Sequence, residues 1–337
     1  MKSVRLVEPA PIETRPLRIQ DVPRPEPGPG QIRIRVEVCG ICRTDLHVVE
    51  GDLPQHEAHI TPGHEVVGLV DALGEGVNDP QVGARVGAAW LHRSCGVCRY
   101  CMRGAENLCV QPIFTGYDVP GGYQEYMLAD SRFVYALPAD IDAERLAPLL
   151  CAGIIGYRAL MRSNPRRGEP FGIYGFGASA HIVIQIARHW SCPVYVCTRG
   201  ERRQKLAEEM GAVWVGPADA APPVKLASSV IFAPAGELVP VALKALDRGG
   251  TLALAGIYMS PVPSMNYGEC LFEERNLLSV TSNTREDGRA LLKLAAEIPI
   301  QTRTTAFALE EANEALLALK SDGFEGAGVL QVSSKRP

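Results

Sequence analysis

The fold class this sequence predicts is α/β, with a doubly wound domain beside a second, β-rich domain. Three observations carry the prediction. Short β-branched runs alternate with helical segments through the second half, a glycine-rich turn joins the first of these strands to its helix, and 337 residues exceed what one hydrophobic core organises. With 46% hydrophobic and 21% charged residues the chain can bury sizeable cores. A net charge of −4, a pI near 6.0 and no long basic run exclude nucleic acid as an expected partner. The start lacks an apolar signal-peptide core, and no stretch reaches the roughly 18 apolar residues of a membrane span, so no membrane partner and a cytoplasmic location are expected. That compartment keeps thiols reduced, which makes the ten cysteines ligands or core residues rather than bridges.

The doubly wound half starts at "PFGIYGFGASAHIVIQIARHW": a strand over Phe171–Tyr174, a tight turn, then an amphipathic helix. Gly175, Gly177 and Ala180 fit G-x-G-x-x-[GA]. The first allows the turn, the second lets the backbone approach a pyrophosphate, and the small third packs helix on strand. A second run "CPVYVCT", a helix "GERRQKLAEEMGA", then "VWVG", "SSVIFAPA", "GTLALAGI" and "LLSVTSN" continue the alternation of a parallel sheet.

The first half carries ligand chemistry. "CGVCRYCMRGAENLC" places Cys95, Cys98, Cys101 and Cys109 on one loop, the right donor type and number for a closed structural zinc site. An iron–sulfur cluster and unligated thiols are the alternatives, although a bacterial ferredoxin run puts its fourth cysteine closer and before proline. A second donor set flanks this loop. Cys42 in "EVCGICRTDLHVVEGD", His64 in "TPGHEVVG" and Cys151 in "LAPLLCAGIIGYRAL" would give zinc two thiolates and an imidazole, leaving a fourth position for water or substrate. Taken singly, Cys151 reads as a core residue and His64 as a packing histidine.

Taken in order, "CGICRTDLH", "GHE", the four-cysteine loop, "LLCAG" and the glycine turn resemble the zinc-dependent alcohol dehydrogenases of the medium-chain dehydrogenase/reductase superfamily. The resemblance spans nearly the whole chain. It implies a GroES-like, partly barrel-like catalytic domain over 1–151, a Rossmann domain over 152–288 and a return to the catalytic domain over 289–337, with the active site in the cleft between domains. It selects Cys42 over Cys39 as the ligand, leaving Cys39 a buried thiol. Two zinc ions per chain follow, one catalytic and one structural. Glu65 resembles a carboxylate able to approach the metal, or else a salt-bridged neighbour. Asp45 would accept the other ring N–H of His64, or else cap a turn.

The resemblance also implies a proton path from the substrate oxygen to Thr44, through a ribose hydroxyl of the cofactor, to His47 near the surface; imidazole suits that last step because it exchanges protons near neutral pH. His47 as an ordinary surface residue is the alternative. An NAD site commonly has an acid at the end of the second strand, where this chain has Thr198, Arg199 and Gly200. Arg199 and Arg203 could bind a 2′-phosphate, favouring NADP over NAD, while Glu201 keeps NAD open. Arg43 matches a pyrophosphate-binding position and Arg285 resembles a second phosphate-binding arginine. Pro234 with Ala235, and Gly256 with Ile257, would end the fourth and fifth strands near the nicotinamide.

Trp90 falls at a family position that lines the substrate pocket. An indole there would narrow it toward small or unbranched primary alcohols and their aldehydes, unless Trp90 is core filler. Aryl-alcohol or polyol dehydrogenases, a zinc-free quinone or enoyl reductase, and a non-catalytic zinc protein on the same fold are the rival readings. The family forms homodimers or homotetramers through the nucleotide-binding domain, and "GTLALAGIYMSPVP" is either that contact or an internal strand.

Overall fold

The structure, a computed structural model, describes residues 1–333. The expected return segment 289–337 therefore ends in residues that lie outside the described ones. Two compact units divide the chain: Met1–Cys151 with Ser282–Leu292 and Gln301–Pro337, and Ala152–Thr281 with Lys293–Ile300.

In the first unit β1 (Lys2–Leu6) and β2 (Leu17–Asp21) form an antiparallel pair. β3 (Gln31–Ile41) runs into α1 (Arg43–Glu50), followed by β4 (Glu65–Leu73), β5 (Arg85–Ala88), β6 (Leu91–Arg93), β7 (Ile113–Phe114), β8 (Tyr126–Asp130), β9 (Val134–Ala136) and the short α2 (Ala143–Leu146). Alternation in "QIRIRVEV" buries Ile32, Ile34, Val36 and Val38 on one side of β3, where they join Val66, Met127 and Leu330 among the unit's buried residues. The pairing of β3 with β4 is antiparallel and sets Gly40 opposite Glu65. That register has a direct consequence: the residue just past β3, Cys42, and the one just before β4, His64, emerge at the same end of the sheet.

In the second unit come α3 (Ala152–Arg162), β10 (Phe171–Tyr174), α4 (Ala178–His189), β11 (Val194–Cys197), α5 (Glu201–Glu209), β12 (Trp214–Gly216), β13 (Leu226–Ile231), α6 (Leu238–Ala245), β14 (Leu246–Leu254), α7 (Tyr267–Cys270) and β15 (Asn276–Ser279). All pairs are parallel, in the order β12-β11-β10-β13-β14-β15. This is the doubly wound order 3-2-1-4-5-6, with the switch point between β10 and β13. The fold class is the one the sequence predicts. The segment "GTLALAGIYMSPVP" supplies an internal strand, since β14 lies between β13 and β15 and buries Leu252 and Ala253, while Ile257 and Tyr258 beyond it are exposed.

The chain returns through α8 (Arg285–Glu297), β16 (Thr304–Ala308), α9 (Ala312–Lys320) and β17 (Ala327–Gln331). The last strand is inserted between β16 and β3, so the seven-stranded sheet of the first unit reads β16-β17-β3-β4-β5-β9, with β8 also on β3. Among the described residues no helix is long and apolar enough to cross a membrane.

Candidate active site

Cys42, His64, Glu65 and Cys151 converge in the first unit, their donor atoms all within 4.8 Å of one another. Cys42 caps α1, His64 precedes β4, and Cys151 follows the 3₁₀ turn Ala147–Leu150. That turn seats Leu150 over Gly87, where an added Cβ would come within 2.8 Å of it. The Cys42 and Cys151 sulfurs are 3.7 Å apart, and His64 Nε2 is 3.3 Å from Cys151 Sγ. Two thiolates on a tetrahedral zinc stand about 3.8 Å apart, given bonds of about 2.3 Å. Glu65 Oε2 is buried without a partner, and a Cβ on Gly40 would fall 2.0 Å from it, so the glycine opposite makes the room this carboxylate occupies. Donor set, spacing and the carboxylate's cradle fit zinc.

Asp45 performs both of the roles the sequence leaves open. Its Oδ2 accepts the Cys42 N–H at 2.8 Å, closing the cap of α1, while Oδ1 accepts the Gly63 N–H at 3.1 Å and holds His64 Nδ1 at 2.9 Å. His64 Nε2 is thereby turned toward the thiols. Burial works against charge on His64, and Asp45 outweighs it, holding the imidazole well above its ordinary value. The Cys42–Cys151 contact lowers the first thiol and raises the second, which burial raises further. Burial, and then the Cys42 sulfur, push the Glu65 carboxyl well above the usual carboxylate range. Cys39 is fully buried, and an added Cβ on Gly63 or Gly122 would fall 2.8 or 2.7 Å from its sulfur. It packs rather than binds.

Thr44 is buried with Oγ1 3.8 Å from Cys42 Sγ. His47, three residues on and so on the same helix face, is half-buried, with Nδ1 2.7 Å from Asp52 Oδ2. Trp90 meets the His64 ring edge-on at 5.1 Å and stacks on Phe114 at 4.8 Å and Tyr117 at 5.9 Å. Sequence reasoning missed Gly40, Phe114, Tyr117 and Asp52. The glycine of "CGIC" was the one local signal; the others are defined by contacts across segments.

Cys95, Cys98, Cys101 and Cys109 form the second cluster, with Cys98–Cys101 and Cys95–Cys101 sulfurs at 3.5 and 3.9 Å. All ten cysteines are free thiols. Backbone N–H groups of residues 95, 98 and 111 donate to the sulfurs of Cys109, Cys95 and Cys109, a pattern that favours thiolates. Such bonds bring Cys98 down to about 6, whereas burial pushes Cys109 up to about 11. Arg285 has a different partner from the phosphate expected. Its Nε and Nη2 reach the Glu106 carboxylate of this loop at 3.0 and 2.7 Å, its backbone N–H donates to the same group, and its guanidinium lies 4.2 Å from the Phe133 ring centre. Arg43 is exposed, 3.5 Å from Asp322.

In the second unit Gly175 takes φ +87°, a conformation open to glycine, where an added Cβ would lie 2.9 Å from Ala233 N. Gly177 caps α4 with open space beside its Cα, and Ala180 is fully buried against the sheet. Thr198 Oγ1 accepts the Phe176 N–H at 3.2 Å, tying the glycine turn to the end of β11. A cavity of about 430 Å³ opens there, with Thr198, Arg199, Gly200, Gln204, Asp219 and Glu237 among its lining residues. Arg203 lies a turn into α5, half-buried. Pro234 and Ala235 lie beyond β13, which ends at Ile231, and Gly256 and Ile257 lie beyond β14, which ends at Leu254. Past the strand ends the backbone leaves the ladder: the N–H groups of Phe232 and Ala233 both turn to Tyr174 O, and the Ala255 N–H makes the last bond of its strand, to Ile231 O.

A Rossmann sheet with its phosphate turn, together with a β-rich unit bearing a two-thiolate, one-imidazole cluster, defines a zinc- and nicotinamide-dependent dehydrogenase. Residues 28–139 match the alcohol dehydrogenase GroES-like domain, and 180–297 match the zinc-binding dehydrogenase family. A probable alcohol dehydrogenase of Mycobacterium tuberculosis is 46% identical over 98% of this chain and 97% of its own length. Among solved structures, the alcohol dehydrogenase of the hyperthermophilic archaeon Aeropyrum pernix is 29% identical with TM-score 0.85, covering 98% of this chain and 100% of that one. Acetophenone reductase from Geotrichum candidum in complex with NAD is 25% identical with TM-score 0.84, covering 98% and 96%. The chain belongs to the zinc-dependent alcohol dehydrogenases of the medium-chain dehydrogenase/reductase superfamily, and acts as an oxidoreductase on small-molecule alcohols.

Proposed function

We propose that this enzyme interconverts small, unbranched primary alcohols and their aldehydes using NADP, with one catalytic and one structural zinc per chain. The observation that carries the substrate reading is the Trp90 indole, 5.1 Å from the ring of His64 and stacked on two further aromatic rings. Zinc held by Cys42, His64 and Cys151 supplies a Lewis acid for the substrate oxygen, and the nicotinamide supplies the hydride acceptor. The chain's own residues do the rest. Asp45 fixes His64 with Nε2 inward, and Thr44 Oγ1, beside the Cys42 sulfur, would relay the alcohol proton, accepting it while giving up its own. His47 Nε2 receives that proton toward solvent while Asp52 keeps Nδ1 engaged. Glu65, whose carboxylate lies within 4.8 Å of the thiols and the imidazole, would be the group able to approach the metal. Cys95, Cys98, Cys101 and Cys109 hold the structural ion.

Arg199, at the cavity beside Thr198, supports NADP through a charge-assisted bond to a 2′-phosphate. Asp219 and Glu237 in the same cavity favour the second reading, NAD, because carboxylates accept ribose hydroxyls and repel a phosphate. We also propose assembly as homodimers or homotetramers through the second unit, where β15 is an edge strand of the six-stranded sheet. The deciding experiment follows nicotinamide absorbance as zinc-loaded and zinc-stripped enzyme reduces short-chain and aromatic aldehydes with NADPH or NADH. Zinc-dependent turnover of short aldehydes with NADPH is expected. Preference for NADH overturns the cofactor choice alone, and preference for bulky aromatic aldehydes overturns the pocket reading.

A further inference from the structure

We propose that Asp118 and His56 form a clamp that positions Tyr117, and through it the Trp90 indole, and so sets the width of the alcohol admitted beside His64. The inference rests on the reading that Trp90 borders the substrate. Two loops meet in the clamp: one between α1 and β4, the other between β7 and β8. Asp118 serves both. Its Oδ2 accepts the Phe114 N–H at 2.7 Å, closing a turn that is also held by Asp118 N–H to Phe114 O at 3.0 Å and Gly116 N–H to Val119 O at 2.8 Å. Its Oδ1 holds His56 Nδ1 at 2.6 Å, a short charge-assisted contact. The His56 ring lies 4.4 Å from the Tyr117 ring, with Nε2 3.2 Å from the phenolic oxygen, and the Tyr117 hydroxyl donates to Pro54 O at 2.5 Å.

Rings pass this order inward. Tyr117 is buried and stacks on Trp90; Phe114, on the other arm of the turn that Asp118 closes, stacks on Trp90 as well. Thr115 fixes the backbone between them, its N–H on Trp90 O at 2.9 Å and its hydroxyl on Ala89 O at 2.8 Å. The turn also presses on the metal-site backbone, because a Cβ at Gly116 would fall 2.8 Å from Gly63 N. A half-exposed histidine and a carboxylate thus hold in place three aromatic rings whose inner end is the metal-site imidazole. Neither His56 nor Asp118 touches the metal ligands in this arrangement, so they are positioning residues. Loosening them leaves the chemistry in place and lets the indole yield to a wider substrate.

The test uses full-length enzyme carrying Trp190→Phe and Trp214→Phe, so that Trp90 is the remaining indole. In the zinc-free protein, His56→Gln and Asp118→Asn are expected to raise acrylamide quenching of Trp90. In zinc-loaded enzyme the ratio of kcat/KM for benzyl alcohol over ethanol is expected to rise about 10-fold, through KM for the aromatic alcohol more than kcat for ethanol. Asp118→Glu, which keeps a carboxylate, returns part of the parent ratio. Unchanged quenching with an unchanged ratio overturns the clamp. So does a loss of thermal stability with the ratio unmoved, since that leaves a structural role alone. His56→Gln, at an exposed position, decides the matter if Asp118→Asn does not fold. Trp90→Ala separates the two layers: if it moves selectivity and the clamp variants do not, the clamp fails by itself; if it leaves selectivity unmoved, the pocket reading fails.

Discussion

Asp45 shows how much one buried carboxylate can decide. Asp45→Asn keeps an oxygen for the cap of α1 but removes the charge that orients His64. The expected outcome is a loss of about 10- to 100-fold in zinc affinity at that site with melting little changed, read by chelator competition. Zinc must displace protons that Asp45 favours on His64 and that the Cys42 contact and burial favour on Cys151, so affinity falls as pH falls and binding releases acid. Gly40→Ala sets a methyl 2.0 Å from Glu65 Oε2 and 2.8 Å from Glu65 Cβ, in a site with no slack. It is expected to cost roughly 1–3 kcal/mol of stability by denaturant melting. The ligands were legible in the sequence because their chemistry is carried by residue type and order. Gly40 was not, because its reason for being glycine is set by the cross-strand register with Glu65, which a linear reading does not contain.

Elements bind the four-cysteine loop to the rest of its unit. Arg285, at the start of α8, grips Glu106 across 179 residues of sequence. Burial pushes Glu106 up, and the Arg285 guanidinium and N–H more than reverse this, leaving it below the ordinary carboxylate value. A depressed carboxylate stabilises the fold above its unfolded value, about 4.3, and loses that contribution as pH falls further. Glu106→Ala is expected to cost about 2 kcal/mol at neutral pH, and the difference from wild type is expected to shrink below pH of about 4 in acid melts. His92 on β6 works in a higher range. Burial brings it down to about 4, so stability is lost as pH falls from about 6.5 toward that value, and His92→Gln is expected to flatten this part of the profile. From the sequence Arg285 resembled a phosphate ligand, since an arginine's position in the chain says nothing of a carboxylate brought to it by folding. The strands and helices of the second unit were legible: α5 falls within the helical segment read from residue pattern, and Gly211 at φ +87° follows its end.

At the scale of the whole molecule the chain leaves its first unit after Cys151 and completes it only at the end. The alternation of strands and helices announced the second unit, because parallel sheets need buried β-branched runs at regular spacing. The strand order of the first unit was not legible, since β17 pairs on one side with β16 in parallel and on the other with β3 antiparallel, and neither partner is marked in "GAGVLQV". Ending the chain after Ile300 removes β16, α9 and β17 and bares the β3 edge. Such a truncation is expected to aggregate at concentrations where the full chain stays dispersed, by light scattering, while a fragment over 152–300 keeps the far-ultraviolet signature of a mixed α/β unit. The same insertion governs how the protein is born. A ribosome delivers Cys42, His64 and Cys151 early and the strand that seals their sheet last, so the unit that begins first is finished second. Until Gln331 has cleared the exit tunnel, the β3 residues that pair with β17 therefore lack that partner strand.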